Sequence, residues 1–325
     1  MLKIKPLVCA MCLVLPTASF AEQPVNGQDF INLFEKLSGK QPGIRKGHAK
    51  GVCAVGTFTP NQAAKQYSIS PLFNAPSKAN IRFSMGGGNP HADETSRSPR
   101  GMGLQFVLEN GDIHNIAGLT TPVFAGNSPE AFFGLLSTLV PDEKTGQIDF
   151  AKVKAYRDQN PSTLGQFNWL QSHNPPASYV SSRYFGVHTF YMVDEKGAKH
   201  AFRWIMVPEE PEQVLTEEQM KTFPKSFLAK RLEEDLAKGK VHYRFQAQLA
   251  KPGDALTDPS VRWPADRKTI NLGKLTIEST GESGCDLTNY DPNLLSKGFM
   301  PSDDKVLKLR STAYAISFAK RLTGQ

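Results

Sequence analysis

An arginine and a tyrosine near the carboxyl end of the chain have the spacing and the chemistry of an iron-binding pair. Arg310 and Tyr314 are four residues apart in a segment of helical character, which places both side chains on one helix face. A nearby cation favours phenolate over phenol, and phenolate is a hard anionic ligand that suits ferric iron. The same spacing is common on helix surfaces, where an arginine simply packs near a ring, so the pair needs support from elsewhere in the chain.

A second group of residues with chemical potential lies near the amino end. His48 stands between Gly47 and Gly51, which let the backbone bend around a bulky ligand. Its imidazole can act as a general acid or base near neutral pH, although a hydrogen-bonded structural histidine is the simpler alternative. Arg82 and Ser84 share one face of a short strand. The guanidinium can bind a carboxylate, and the hydroxyl can hold one nitrogen of His48.

Other common metal and phosphate motifs are missing from the sequence. The seven histidines form no H-x-x-H or H-E-x-x-H pattern, and the only C-x-x-C pair, Cys9 and Cys12, lies in the apolar leader. A structural zinc site is therefore not expected. The run Gly86-Gly87-Gly88 lacks the Lys-Ser/Thr of a P-loop.

The elements that must position these residues are mostly β-ribbons. Apolar residues alternate through 102–108, the pair Asn110-Gly111 predicts a tight turn, and a return strand begins near Ile113. Further strands are predicted at 52–58, 80–85, 188–193, 200–207 and 241–249. Ribbons without regular intervening helices favour an α+β fold built on an antiparallel β-barrel with surrounding helices, rather than a doubly wound sheet.

Helical patterns occupy much of the remaining sequence. They are predicted at residues 28–38, 129–139, 147–157 and 225–238, and in a C-terminal helix that Ser302 caps and that runs to about Leu322. No internal repeat, low-complexity tract or linker divides the chain, so one domain is expected.

The first 21 residues have the features of a cleavable secretory signal. Lys3 and Lys5 precede an apolar run at 7–15, and small residues lead to a cleavage site after Ala21. The interpretation predicts a mature protein of residues 22–325 that is exported, to the periplasm in a Gram-negative bacterium. No later segment is long and apolar enough for stable membrane insertion.

Two cysteines and a moderate positive charge remain after the leader. An oxidising compartment permits a disulfide between Cys53 and Cys285, but two free buried thiols are an equal alternative. The net charge is +7, or +5 without Lys3 and Lys5. It is not concentrated in any dense basic run, so a nucleic-acid partner is not expected. No particular oligomeric state is indicated.

The motifs, taken in order, resemble those of the haem catalases. Their order along the chain is Arg45-x-x-His48-Ala49-Lys50-Gly51, Arg82-Phe83-Ser84, Asp93, Arg100-Gly101-Met102-Gly103-Leu104-Gln105-Phe106, Thr121-Pro122-Val123-Phe124 and Arg310-Ser311-Thr312-Ala313-Tyr314. The resemblance covers nearly the whole mature chain, and it is closest to the short, exported branch called catalase-related peroxidases. It implies a β-barrel whose mouth, with helices, encloses haem b.

The resemblance also implies a role for each site residue. His48 would be the distal catalytic histidine and Ser84 the serine that hydrogen-bonds it. Tyr314 would be the axial ligand of the haem iron, with Arg310 as its charge partner. The residues implied to contact the haem directly are Arg45 and Arg82 at the propionates and Phe132 at the distal face.

One departure from the family pattern bears on substrate choice. Catalases carry Asn-Asn before the Thr-Pro-Val-Phe segment, whereas this chain has Leu119-Thr120. The isobutyl group of Leu119 has no hydrogen-bonding atom, and loss of one oriented donor costs about 2.7–4 kcal/mol where it serves a transition state. The expected function is therefore a peroxidase that reduces organic hydroperoxides, with H2O2 as a further substrate, using a small organic electron donor. The alternatives are a true catalase, a haem carrier without turnover, and a β-rich binding protein without haem.

Overall fold

The computed structural model describes residues 24–281 and 283–325, so the predicted signal segment lies outside the described residues. The described chain forms ten β-strands and seven α-helices. The strands are β1 Gly51–Pro60, β2 Ser77–Met85, β3 Arg100–Val107, β4 Ile113–Leu119, β5 Tyr184–Phe185, β6 Phe190–Val193, β7 Lys199–Pro208, β8 Val241–Leu249, β9 Thr269–Thr280 and β10 Phe299–Pro301. The helices are α1 Gly27–Ser38, α2 Pro129–Thr138, α3 Phe150–Gln159, α4 Leu164–Ser172, α5 Glu217–Thr222, α6 Leu228–Ala237 and α7 Lys305–Leu322.

Eight of the strands close into an antiparallel barrel. The sheet runs β10-β6-β7-β5-β4-β3-β2-β1-β9-β8, and a further pairing of β7 with β8 closes the ring from β7 round to β8. Strands β6 and β10 extend outwards from β7. The predicted α+β class, an antiparallel barrel with surrounding helices, is confirmed.

Alternating apolar residues fill the inside of the barrel. In β3, Met102, Leu104 and Phe106 are all buried, and Phe106 packs against Phe58 and Phe245 with ring centroids 5.1 and 6.3 Å apart. Apolar burial on this scale is the main favourable term in folding. The core therefore gives β2, β3 and β4 a fixed position, and the same strands carry residues of the site at one end.

The predicted hairpins and helices agree with the structure to within a few residues, but the start of α7 was assigned wrongly. Asp304 is the N-cap, and its carboxylate accepts hydrogen bonds from Val306 N at 2.8 Å and Leu307 N at 3.2 Å. Ser302 is buried, and its hydroxyl has no hydrogen-bond partner among the described residues. Serine and aspartate both favour the N-cap position, and the path of the folded chain places Asp304 there.

Helix α1 lies directly against α7. At the contact, a Cβ placed on Gly27 would lie 2.8 Å from the backbone nitrogen of Ala313, so only glycine permits this approach. Phe30, Ile31 and Leu33 form the buried face of α1. The contact brings the amino and carboxyl ends of the described chain together beside the barrel. No helix among the described residues is long and apolar enough to cross a membrane.

The two cysteines form a disulfide. Cys53 in β1 is bonded to Cys285 in a short 3-10 turn at Ser283–Cys285, with the Cα atoms 5.5 Å apart, and the bond joins positions separated by 232 residues. Of the two alternatives that the sequence left open, the structure therefore shows the bonded one.

Candidate active site

A cavity of about 470 Å³ lies between one end of the barrel and helices α1, α2 and α7. All seven residues that the sequence analysis assigned to the site line this cavity. They are Arg45, His48, Arg82, Ser84, Phe132, Arg310 and Tyr314. The barrel supplies Arg82 and Ser84 from β2, and helix α7 supplies the arginine–tyrosine pair.

His48 and Ser84 are hydrogen-bonded to each other. The distance from His48 Nδ1 to Ser84 Oγ is 3.0 Å, so Nε2 is the ring nitrogen left free of Ser84. A Cβ on Gly101 would lie 2.8 Å from both side chains, which means that the pair occupies the space a larger residue would need. His48 has a φ of 54°, and it is the only non-glycine residue with positive φ in the described chain. Strained backbone of this kind is concentrated at functional sites.

Arg82 holds the backbone around His48. Its guanidinium donates to the carbonyl oxygen of His48 at 2.8 Å and to that of Ala49 at 3.0 Å. Because the bonds go to the main chain, they stabilise the unusual backbone conformation as well as the position of the ring. This second role for Arg82 was not apparent from the sequence.

The imidazole of His48 is neutral at physiological pH. Burial, together with the positive charges of Arg82, Arg310 and Arg45, lowers its pKa to about 3. A neutral imidazole has a lone pair on one nitrogen and can accept a proton. The environment therefore prepares His48 to act first as a base.

Arg310 and Tyr314 meet as the helical spacing predicted. Arg310 Nη2 lies 2.6 Å from Tyr314 Oη, and the guanidinium carbon is 5.2 Å from the ring centroid. Both residues are half-buried at the cavity wall. A charge-assisted hydrogen bond of this length stabilises negative charge on the phenol oxygen.

A buried His–Asp pair behind this arginine was missed by the sequence analysis. His188 Nδ1 lies 2.6 Å from Asp304 Oδ2, and both side chains are 1% exposed. Burial lowers the pKa of His188, Asp304 opposes this, and the charge of Arg310 lowers it further. Asp304 is also the N-cap of α7, so the pair ties the start of the Tyr314 helix to the chain that precedes β6. Nothing in the sequence near His188 marks it.

Four arginines line the cavity, and none forms a salt bridge with a described residue. They are Arg45, Arg82, Arg310 and Arg321. Arg45 donates to the carbonyl oxygens of Cys285 at 2.7 Å and Thr288 at 2.9 Å, and Arg321 donates to Thr288 O at 3.3 Å. Burial lowers the pKa of Arg321 to about 10, which leaves it charged at neutral pH. Arg321 was not among the residues that the sequence assigned to the site.

The remaining wall of the cavity is apolar. Phe132 stacks with Phe30 at 5.6 Å and packs against Phe124 at 4.6 Å between ring centroids. Leu119 lies on the wall at the end of β4, where its backbone pairs with Gly101 and Phe185. The residue that departs from the family pattern therefore faces the cavity.

This set of groups fits a haem. An anionic porphyrin with two carboxylates needs apolar walls for its ring and cations for its charged edge, and the cavity supplies both, with arginines that lack carboxylate partners among the described residues. A phenol oxygen beside a guanidinium is a suitable ligand for ferric iron. Tyr314 would hold the iron, and Arg45, Arg82 and Arg321 the carboxylates.

Comparison with known proteins shows the family of the chain. The catalase family profile matches residues 26–325. A catalase-related peroxidase from Synechococcus elongatus is 40% identical over 95% of this chain and 93% of its own length. One from Mycolicibacterium paratuberculosis is 32% identical over 90% of this chain and 93% of its own length.

Solved structures with the same fold are larger. A fungal catalase superposes with a TM-score of 0.79 at 21% identity, over 87% of this chain and 60% of its own. Catalase A from Saccharomyces cerevisiae gives a TM-score of 0.78 at 22% identity, over 87% of this chain and 62% of its own. The chain thus spans about 60% of the length of these catalases, and the likeness shows the shared fold. On the match of its sequence to the family profile and to relatives of nearly equal length, this chain belongs to the catalase family, on the branch of the catalase-related peroxidases, and is a peroxide-acting oxidoreductase.

Proposed function

We propose that this protein binds haem b and reduces organic hydroperoxides, in preference to hydrogen peroxide, with electrons from a small organic donor. The observation that carries the proposal is that one cavity is lined by the His48–Ser84 pair, the Arg310–Tyr314 pair and the apolar Leu119. A haem carrier without turnover would need the second pair but not the first. Membership of an enzyme family also favours turnover.

His48 moves the proton in the proposed reaction. Bound haem supplies the two-electron reduction of the O–O bond. His48 accepts the hydroperoxide proton at Nε2 and returns it to the departing oxygen, so that an alcohol leaves. Ser84 holds Nδ1 and thereby fixes the orientation of the ring. The donor restores two electrons and two protons, so that ROOH and DH2 give ROH, water and the oxidised donor.

The second pair, Arg310 and Tyr314, would set the properties of the oxygen that binds the metal. Tyr314 would hold the haem iron through its phenol oxygen, and Arg310 donates to that oxygen. Donation withdraws electron density from the oxygen and sets how strongly it binds the metal. The protein thus supplies binding, orientation and electrostatics, while the cofactor supplies the redox chemistry.

The apolar wall supports the preference for organic substrates. Leu119, Phe132 and Phe124 present hydrocarbon surface to the cavity. Burying an alkyl or aryl group there gains about 25 cal/mol for each Å² removed from water. Hydrogen peroxide has no such group, and Leu119 offers it no hydrogen bond. Dismutation of hydrogen peroxide is the alternative reaction, and oxygen evolution measures it directly.

Stopped-flow spectroscopy of the haem-loaded protein tests the proton-transfer role. We expect His48→Ala to slow the reaction of the haem with cumene hydroperoxide by about 10²–10⁴-fold, the usual contribution of a positioned acid–base group. The matched control is His91→Ala, which removes an exposed histidine outside the cavity and should react at the parent rate. Equal rates for His48→Ala and the parent would contradict the mechanism.

We also propose that the protein is exported and that residues 22–325 fold as one domain in the periplasm. The disulfide between Cys53 and Cys285 supports an oxidising compartment. Osmotic-shock fractionation checks the export, and amino-terminal sequencing of the purified protein checks the cleavage site. The expected first residue is Glu22, and a protein that retains Met1 in the cytoplasm contradicts the proposal.

A further inference from the structure

One tyrosine at the cavity wall has a buried hydroxyl without a partner. Tyr290 is 4% exposed, it lines the cavity, and its Oη has no hydrogen-bond partner among the described residues. Buried polar side-chain atoms are hydrogen-bonded in the large majority of cases, because a buried hydroxyl left unpaired costs about 1–3 kcal/mol. The position of the ring therefore needs a reason other than packing.

The surroundings hold this tyrosine rigidly beside cations. A Cβ on Gly103 would lie 3.0 Å from Tyr290 Cγ, so the ring is packed directly on the backbone of β3. The guanidinium carbon of Arg45 is 5.6 Å from the ring centroid. The preceding Thr288 accepts hydrogen bonds from Arg45 and Arg321 at its carbonyl oxygen, which fixes the segment against both arginines. The ring is thus held beside the arginine-lined part of the cavity.

The protonation state of Tyr290 makes it a donor. Burial raises its pKa to about 12, against the charge of Arg45, the nearby Thr288 side chain and the charge of Arg82, which all lower it. The phenol therefore keeps its proton at neutral pH and can donate one hydrogen bond. The group that fits this donor is an acceptor that Arg45, Arg82 and Arg321 also attract, which means an anion such as a carboxylate.

We propose that Tyr290 is a further cofactor-binding residue, whose hydroxyl donates a hydrogen bond to a haem carboxylate beside Arg45, Arg82 and Arg321. The inference rests on the haem of the proposed function, and it adds a neutral donor to a set of cations. A neutral donor gives the carboxylate a directed hydrogen bond, whereas the arginines at this site also donate hydrogen bonds to main-chain carbonyls.

The test is the rate of haem transfer from the holoprotein to excess apomyoglobin. Tyr290→Phe keeps the ring and removes only the hydroxyl, and it should release haem about tenfold faster or more, the effect of losing one hydrogen bond to a charged group. Tyr184→Phe is the matched control. It removes a buried hydroxyl inside the barrel, one that donates to Tyr179 O at 2.7 Å, and it should release haem at the parent rate.

A spectroscopic measurement separates carboxylate binding from general loosening of the fold. The propionate-bending band in the resonance Raman spectrum should shift in Tyr290→Phe and stay in place in Tyr184→Phe. Parent-like haem release together with an unshifted band in Tyr290→Phe overturns the inference and leaves the proposed function standing. A parent protein that takes up no haem overturns both.

Discussion

Removing the disulfide tests how the structure retains its cofactor site. The change is the double substitution Cys53→Ser with Cys285→Ser, which deletes the bond and keeps side chains of similar size. Cys285 contacts the cavity wall, because its carbonyl oxygen accepts a hydrogen bond from the lining residue Arg45 at 2.7 Å. We expect the substitution to lower global stability and to speed haem loss.

The size of the effect follows from the length of chain that the bond closes. The cysteines are separated by 232 residues, and closing a loop of that length removes about 5 kcal/mol of unfolded-state entropy at 25 °C. Native disulfides commonly deliver about 2–4 kcal/mol. The expected decrease in the free energy of unfolding is therefore about 3–5 kcal/mol, a large part of the roughly 5–15 kcal/mol that stabilises a folded protein.

Guanidinium chloride unfolding, followed by tryptophan fluorescence, measures the decrease. Parent and variant are compared at the same haem occupancy, because a ligand that binds only the folded state adds stability by mass action. The parent treated with dithiothreitol should match the variant, and dithiothreitol should leave the variant unchanged. A variant within 1 kcal/mol of the oxidised parent, or a tryptic digest of the parent with both thiols free, refutes the reasoning.

Three other predictions concern the site and the barrel. Leu119→Asn should raise oxygen evolution from hydrogen peroxide relative to reduction of cumene hydroperoxide, by about tenfold for one new hydrogen bond; a lower ratio contradicts the specificity argument. Ser84→Ala should slow the stopped-flow reaction by about tenfold, because His48 loses the bond that orients it, and a parent-like rate makes Ser84 dispensable. Burial lowers the pKa of His114, 2% exposed in the barrel, to about 3. As the pH falls below about 6.5, His114 is protonated in the unfolded chain before it is protonated in the folded one. The free energy of unfolding therefore decreases between that pH and about 3, by about 2 kcal/mol at pH 5. His114→Gln should flatten that part of the stability profile in urea titrations, and an unchanged slope excludes His114 as its source.

Turns and strands that depend on neighbouring residues could be predicted from the sequence. The pair Asn110-Gly111 predicted the hairpin, and in the structure Gly111 adopts a φ of 83°, which glycine tolerates best. The strand at 241–249 matches β8 because alternate side chains point into the barrel. In contrast, β9 at Thr269–Thr280 was missed, since Gly273, with a φ of 154°, and a register shift in its pairing with β8 interrupt the alternation.

Long-range contacts explain the other differences. The helix predicted from residue 225 begins at Leu228, because Glu94 accepts hydrogen bonds from the backbone nitrogens of Phe227 and Leu228 and so caps the helix from a distant loop. His188 and Asp304 form their pair across 116 residues. Neither partner is exceptional in its own segment, and only the folded chain brings them together.

The arginines connect cofactor binding with the chemistry of His48. Arg45, Arg82 and Arg310 each lower the pKa of His48 by their charge, but burial is the largest cause. Bound carboxylates would offset the charges of Arg45 and Arg82 and leave the burial in place or increase it. Because the dominant cause would persist, His48 would remain a neutral base at physiological pH with the cofactor bound. The same guanidiniums can therefore hold the anionic edge of a haem without removing the proton acceptor that peroxide reduction needs.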